Sequence, residues 1–185
     1  MIEFDDITRA RTRIHAYTVK TPLFHSHVLS DLTKVPLHLK AECWQNGGSF
    51  KIRGALNYVA ERHEDPQISG FVTCSSGNHG AALSRASSLF GGIPTDIFVP
   101  EGAEETKVAK IRRFGAEVHT GGKDFLAAYE KACAYAESEK KEYVHSHSHP
   151  LVIAGQGTIG LEIVEDMEEE PEAVIVPVGG GGLIS

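Results

Sequence analysis

The sequence predicts an α/β protein: a parallel-sheet small domain inserted in a larger α/β domain that is incomplete. Three observations carry this. Residues 67–147 alternate between helical patterns and short β-rich runs, namely GFVTCS (70–75), TDIFVP (95–100), AEVHTG (116–121) and EYVHSH (142–147). Alternation with short connections is the mark of parallel strands joined by crossover helices. A second α/β texture begins before residue 67, breaks off and resumes near 148, which a discontinuous domain explains better than one linear sheet. Finally, a β-rich run leads into GGGGLIS (179–185) with no crossover helix to cover it. The expected division is 1–66 plus 148–185 for the larger domain and 67–147 for the smaller, and the chain is expected to be part of something longer.

Taken in order, residues 5–16 read as an amphipathic helix begun by Asp5 and Asp6, whose carboxylates suit a helix N-terminus. PLHLKAE (36–42) reads as a strand and SFKIRGALNYVAERHE (49–64) as a helix. Within the middle block, the first two helices stop at Gly91 and Gly115, the usual C-terminal punctuation. The third, DFLAAYEKACAYAESEKK, spaces Phe125, Leu126, Tyr129, Ala132 and Cys133 along one helical face. LVIAGQGTIGLEIVEDM (151–167) reads as a helix, followed by an acidic loop and the strand AVIVPV (173–178).

Composition narrows the function classes. With 41% hydrophobic and 23% charged residues, the 185-residue chain has the make-up of a soluble globular protein able to bury a core. A net charge of −7 without any basic run argues against nucleic acid as a partner. The start, MIEFDDITRARTR, is not a secretory signal, and no apolar run is long enough to suggest a membrane span. Cys43, Cys74 and Cys133 lack metal-binding spacing and suit reduced thiols, so a cytoplasmic protein is expected.

Three stretches carry chemistry. GGSFKIRGA (47–55) places Lys51 directly behind permissive backbone; either it is a surface lysine on a loop entering a helix, or it points into a pocket and reacts. Gly179, Gly180, Gly181 and Gly182 follow a β-rich run, where exposed backbone N–H groups can hold an anion. The dinucleotide fingerprint fails because Ile184 stands where its third glycine belongs, and no G-K-[ST] follows. What survives is a cup for a small monophosphate, set against an ordinary flexible loop. CSSGNHGAAL (74–83) clusters Ser75, Ser76, Asn78 and His79 at the C-terminal edge of the first middle strand, where open α/β sheets bind ligands. Helix capping by Ser76 or Asn78 accounts for one polar residue of the four.

Other motifs are weaker. HSHSHP (145–150) could put His145, His147 and His149 on one strand face, but the run ends at Pro150 with no carboxylate or thiol nearby, so no metal is assigned. Ser49-x-Lys51 is not the S-x-x-K pattern, and Cys74 reads as a buried small hydrophobe. An amine beside a small-monophosphate cup and a polar loop points to pyridoxal 5'-phosphate.

GSFKIRGA, SSGNHG, VIAGQGTIGLE and VPVGGGGL, in this order, resemble the fold type II pyridoxal-phosphate enzymes with their tryptophan synthase beta-like architecture. The resemblance is greatest to the threonine/serine dehydratase and serine racemase group and runs from TPLFHS (21–26) to the last residue. It implies that Lys51 is the Schiff-base lysine with Phe50 beside the cofactor ring, that Asn78 bonds the ring hydroxyl, and that Gly179 to Gly182 cradle the phosphate. It further implies that Ser75, Asn78 and His79 hold the carboxylate of a small amino-acid substrate, and that Ser76 faces Lys51 across the cofactor. The implied reaction is dehydration of L-serine or L-threonine to a 2-oxo acid and ammonia, with serine racemisation if Ser76 returns the proton. A homo-oligomer is the implied assembly.

Two departures from the family pattern bear on substrate choice: Gly47 stands where relatives commonly carry threonine, and His147 where they vary between asparagine and aromatic residues. The family's serine near the pyridine nitrogen and its divalent-cation site lie beyond residue 185. The competing readings are an inactive fragment or interaction module that keeps the fold, and a β-replacement synthase, whose sequence around the lysine differs.

Overall fold

The computed structural model, which describes residues 2–185, opens with helix α1 (Phe4–Ile14). The Asp6 carboxylate closes its first turn by accepting from the Glu3 N–H at 2.8 Å. Two short strands, β1 (Leu23–His25) and β2 (His38–Lys40), pair antiparallel around the small helix α2 (His27–Thr33). A single 3-10 turn (Glu42–Trp44) leads to α3 (Lys51–Arg62). The middle block follows as β3 (Phe71–Cys74), α4 (Asn78–Leu89), β4 (Thr95–Val99), α5 (Glu105–Arg112), β5 (Glu117–Thr120), α6 (Phe125–Ser138) and β6 (Glu142–Tyr143). Helix α7 (Pro150–Asp166) comes last.

The four middle strands form one parallel sheet in the order β5-β4-β3-β6, as the alternating texture predicts. Successive side chains of a strand point to opposite faces. Phe71, Ile97 and Val99 accordingly join a core with α3, α4 and α5, while Val72, Cys74 and Phe98 pack on Ala128, Ala132 and Ala136 of α6. Both faces are covered, which is why β3 and β4 are buried along their whole length.

Three expectations are corrected. The buried face of α6 is an alanine stripe, and Phe125 and Leu126 stay 59% and 62% exposed. Alanines at i, i+4 and i+8 let the helix lie close on the sheet, whereas larger side chains there would hold it off. The run 142–147 is a strand only at Glu142–Tyr143; the Val144 N–H still bonds the Val72 carbonyl at 2.8 Å, and then the chain leaves the sheet. Residues 173–178 are irregular rather than a strand, with Ile175 91% exposed. Among the described residues no strand lies beside this run, so its backbone groups have no ladder to join.

Helices α1, α3 and α7 pack together, and α3 also packs on α4 and on the sheet core. Helix α7 crosses α3 at Gly155, where a Cβ would lie 2.6 Å from the Gly54 Cα, and the Gln156 side chain accepts from the Gly54 N–H at 3.2 Å. This crossing sets the start of α3 firmly in place. Among the described residues no helix is long and apolar enough to cross a membrane.

Candidate active site

The chain enters α3 through Gly47 and Gly48, both at positive φ (88° and 81°), in a turn closed by the Gly48 N–H on the Gln45 carbonyl at 2.7 Å. Backbone of that shape is costly for other residues. It delivers Lys51 as the first residue of the helix, half-buried, with its ammonium 5.2 Å from the Phe50 ring centroid. Lys51 Nζ donates to the Ser146 carbonyl at 2.7 Å, and burial lowers its pKa below the ordinary lysine value. Lys51 is thus tied to the main chain rather than extended into solvent.

Segment 144–147 joins the remaining parts. The Val144 carbonyl accepts from Thr73 Oγ1 at 2.8 Å and faces His79 Nε2 at 3.3 Å. Next in the chain, Ser146 holds Lys51, and His147 lies against the glycine run. A Cβ on Gly180 would come within 2.4 Å of the His147 ring, and one on Gly182 within 2.4 Å of the His147 carbonyl oxygen. Only glycine fits at those two positions. Lys51 and the Gly179–Gly182 run, 128 residues apart in sequence at their nearest members, thus meet on consecutive residues of one segment.

The polar loop Ser75–Asn78 sits at the C-terminal end of β3 and opens α4. Gly77, not Ser76 or Asn78, is the N-cap, and no side chain caps the helix. The first N–H groups of α4 therefore lack intrahelical or side-chain acceptors and are available to an anion. Ser75 Oγ accepts from the Gly77 N–H at 3.3 Å, while Ser76 is half-buried and Asn78 exposed. His79 differs from its neighbours: its ring is buried, and burial first, with the positive charges of Lys51, His147 and His145 adding to it, pushes its pKa down to about 4. Its Nδ1 has no hydrogen-bond partner among the described residues.

The three histidines of HSHSHP take separate tasks rather than one face. His145 packs edge-on against Tyr143, His147 floors the glycine run, and His149 accepts from the Leu151 N–H at the start of α7. Cys74 is buried, and its thiol is pushed up to about 11 by burial and by neighbouring Cys133, which removes it as a nucleophile.

Arg53 was not singled out in the sequence. It is 1% exposed and pairs with both Glu42 and Glu162, at 2.8 and 2.6 Å, while Lys40 also reaches Glu162 at 2.8 Å. A basic residue amid apolar neighbours on a helix was the available signal, but its partners lie 11 and 109 positions away.

These residues fit a small planar aldehyde carrying a monophosphate. The fit rests on a desolvated amine, an adjacent aromatic ring, a glycine run in which Gly180 and Gly182 leave no room for a Cβ against His147, and an uncapped helix start for a carboxylate.

Comparison with known proteins agrees with that reading. The chain is 45% identical over its full length to an L-threonine ammonia-lyase from Thermotoga maritima, covering 46% of it, and 40% identical to a serine racemase from Arabidopsis thaliana over 97% of the chain and 54% of that protein. It superposes on the structure of maize serine racemase with a TM-score of 0.92 and 35% identity, covering 98% of this chain and 55% of that one. The chain spans about half the length of the curated relatives it matches. Its residues 14–185 match the family described as pyridoxal-phosphate dependent enzymes, and the chain belongs to that family.

Proposed function

We propose that this chain carries the lysine-bearing portion of an ammonia-lyase that converts L-serine or L-threonine to a 2-oxo acid and ammonia, with serine racemisation as a second outcome. The observation that carries this is the Lys51 amine, desolvated and held on Ser146 next to a glycine cradle seated on His147. Likeness to threonine ammonia-lyases and serine racemases supports the reaction class. Bound pyridoxal phosphate supplies the sink for the electron pair left at the substrate α-carbon.

The chain's own residues do the rest. Gly179 to Gly182 would offer backbone N–H groups to the phosphate, Phe50 would lie beside the ring, and Asn78 would bond its hydroxyl. Ser75, Asn78 and the His79 N–H hold the substrate carboxylate at the open end of α4. The Lys51 amine removes the α-proton, with its lowered pKa leaving more of it unprotonated at neutral pH. The β-hydroxyl then leaves as water, water returns, and ammonia departs, so the net products are the 2-oxo acid and ammonia. Where Ser76 supplies a proton from the opposite side, the substrate is returned as its mirror image. The inserted-domain division at 67–147, a cytoplasmic location and a homo-oligomeric assembly belong to the same reading.

The test is direct. The 185-residue chain, mixed with pyridoxal phosphate and dialysed, is expected to keep a visible absorbance that Lys51→Ala loses. L-serine, D-serine and L-threonine are then assayed for 2-oxo acid and for inversion. A chain that binds no pyridoxal phosphate would overturn the proposal in favour of an interaction module.

A further inference from the structure

The imidazole of His79 has no place in the chemistry above, yet it is buried to 3% exposure in the first turn of α4. Its side chain cannot touch a substrate, because both ring nitrogens lie inside the protein. What it touches is the Val144 carbonyl, at 3.3 Å from Nε2. That carbonyl belongs to the last residue tied to the sheet, through the Val144 N–H on the Val72 carbonyl at 2.8 Å. Beyond it the segment has no ladder, and two residues later it presents the Ser146 carbonyl to Lys51 at 2.7 Å. Among the described residues two side chains hold the Val144 carbonyl at this departure point: Thr73 through its hydroxyl at 2.8 Å, and His79.

We infer that His79 is a positioning residue for Lys51, whose neutral ring donates from Nε2 to the Val144 carbonyl and thereby fixes the Ser146 carbonyl against the lysine amine. The inference rests on the assignment of Lys51 as the reactive amine. Burial disfavours a charged ring, and a cation there would also be opposed by the charge of Lys51. Because Nδ1 has no partner among the described residues, the ring has one hydrogen bond to lose, and a glutamine amide can replace it at the Nε2 position.

The readout is the pH dependence of Lys51 acylation in the full chain free of pyridoxal phosphate, followed by trace acetic-anhydride labelling and mass spectrometry of the peptide bearing Lys51. Wild type and His79→Gln are expected to share one low-lying profile, while His79→Leu lets water reach the amine, moves the midpoint toward the ordinary lysine value and lowers labelling at neutral pH several-fold. Thr73→Val, which removes the companion bond without changing size, is expected to shift the midpoint the same way by less. If His79→Leu does not fold, the Thr73→Val profile decides. A purely structural role would lower the melting temperature of these variants and leave the Lys51 profile at its wild-type midpoint, which would overturn the inference. Wild-type uptake of pyridoxal phosphate, measured separately, tells failure of the functional reading from failure of this one.

Discussion

The guanidinium of Arg53 meets the carboxylate of Glu162 through two hydrogen bonds, Nη1 to Oε1 at 2.6 Å and Nη2 to Oε2 at 2.9 Å, inside the protein. Glu42 closes the other side, and Lys40 shares Glu162. Removing one member of a buried pair leaves its partners charged and uncompensated. Arg53→Met is expected to cost about 3 kcal/mol in urea unfolding, and the further change Glu162→Gln is expected to return part of that loss. Additive losses in the double variant would mean that the two side chains do not act as a unit.

The glycine cradle makes a sharper prediction, because Gly180 and Gly182 press on different parts of His147. Gly180→Ala collides with the ring and Gly182→Ala with the main chain. Both are expected to weaken pyridoxal phosphate binding by about tenfold, or ~1.4 kcal/mol. His147→Ala is expected to rescue the first and not the second. Titration by absorbance or fluorescence reads both, and equal rescue would place the contact elsewhere.

His79 ties stability to pH. Its folded-state pKa of about 4 lies below the ordinary 6.5, so between those values the unfolded chain binds a proton that the native one refuses. Stability is full above pH 6.5 and declines as pH falls toward 4, by about 3 kcal/mol in all. In His79→Gln that decline is expected to flatten across the same window, as measured by urea midpoints at stepped pH.

Asp96 works in a lower window. Burial opposes its ionisation, but Lys141 and His119, with His119 Nε2 at 2.7 Å, hold its carboxyl below the ordinary 3.8. Its contribution is present above the unfolded-state value and lost as pH falls through the folded one. Asp96→Asn is expected to cost about 2 kcal/mol at neutral pH and progressively less below pH ~4.

For the reaction itself, Lys51→Ala is expected to abolish both elimination and inversion. Ser76→Ala is expected to spare L-serine elimination more than racemisation, because only the second needs a proton donor opposite Lys51. Parallel losses in the two assays would remove Ser76 from that role.

Legibility in the sequence followed burial. The central strands β3 and β4 were readable because a sheet covered on both faces leaves continuous apolar runs such as FVTC and DIFV. Residues 173–178 have the same composition and no strand, since pairing is a property of neighbours and not of the run itself. Face assignment failed on α6 for a related reason: alanine carries a weak hydrophobic signal but packs most closely, so Phe125 and Leu126 misled. At the site, Lys51 and the glycine run stood out by type. Their link did not, because it passes through the main chain of Ser146 and His147, and a carbonyl has no letter in the sequence.

Lys51 is the first residue of its helix, and that placement has an electrostatic meaning. The aligned peptide dipoles of α3 put the equivalent of about half a positive charge at its start. An ammonium group there is repelled by its own helix, whereas a neutral amine is not. Twelve residues of ordinary helix thus bias the lysine toward its neutral form, in the same sense as burial and without any further side chain. Arg53, two positions on, meets the same field, which the carboxylates of Glu42 and Glu162 beside it offset.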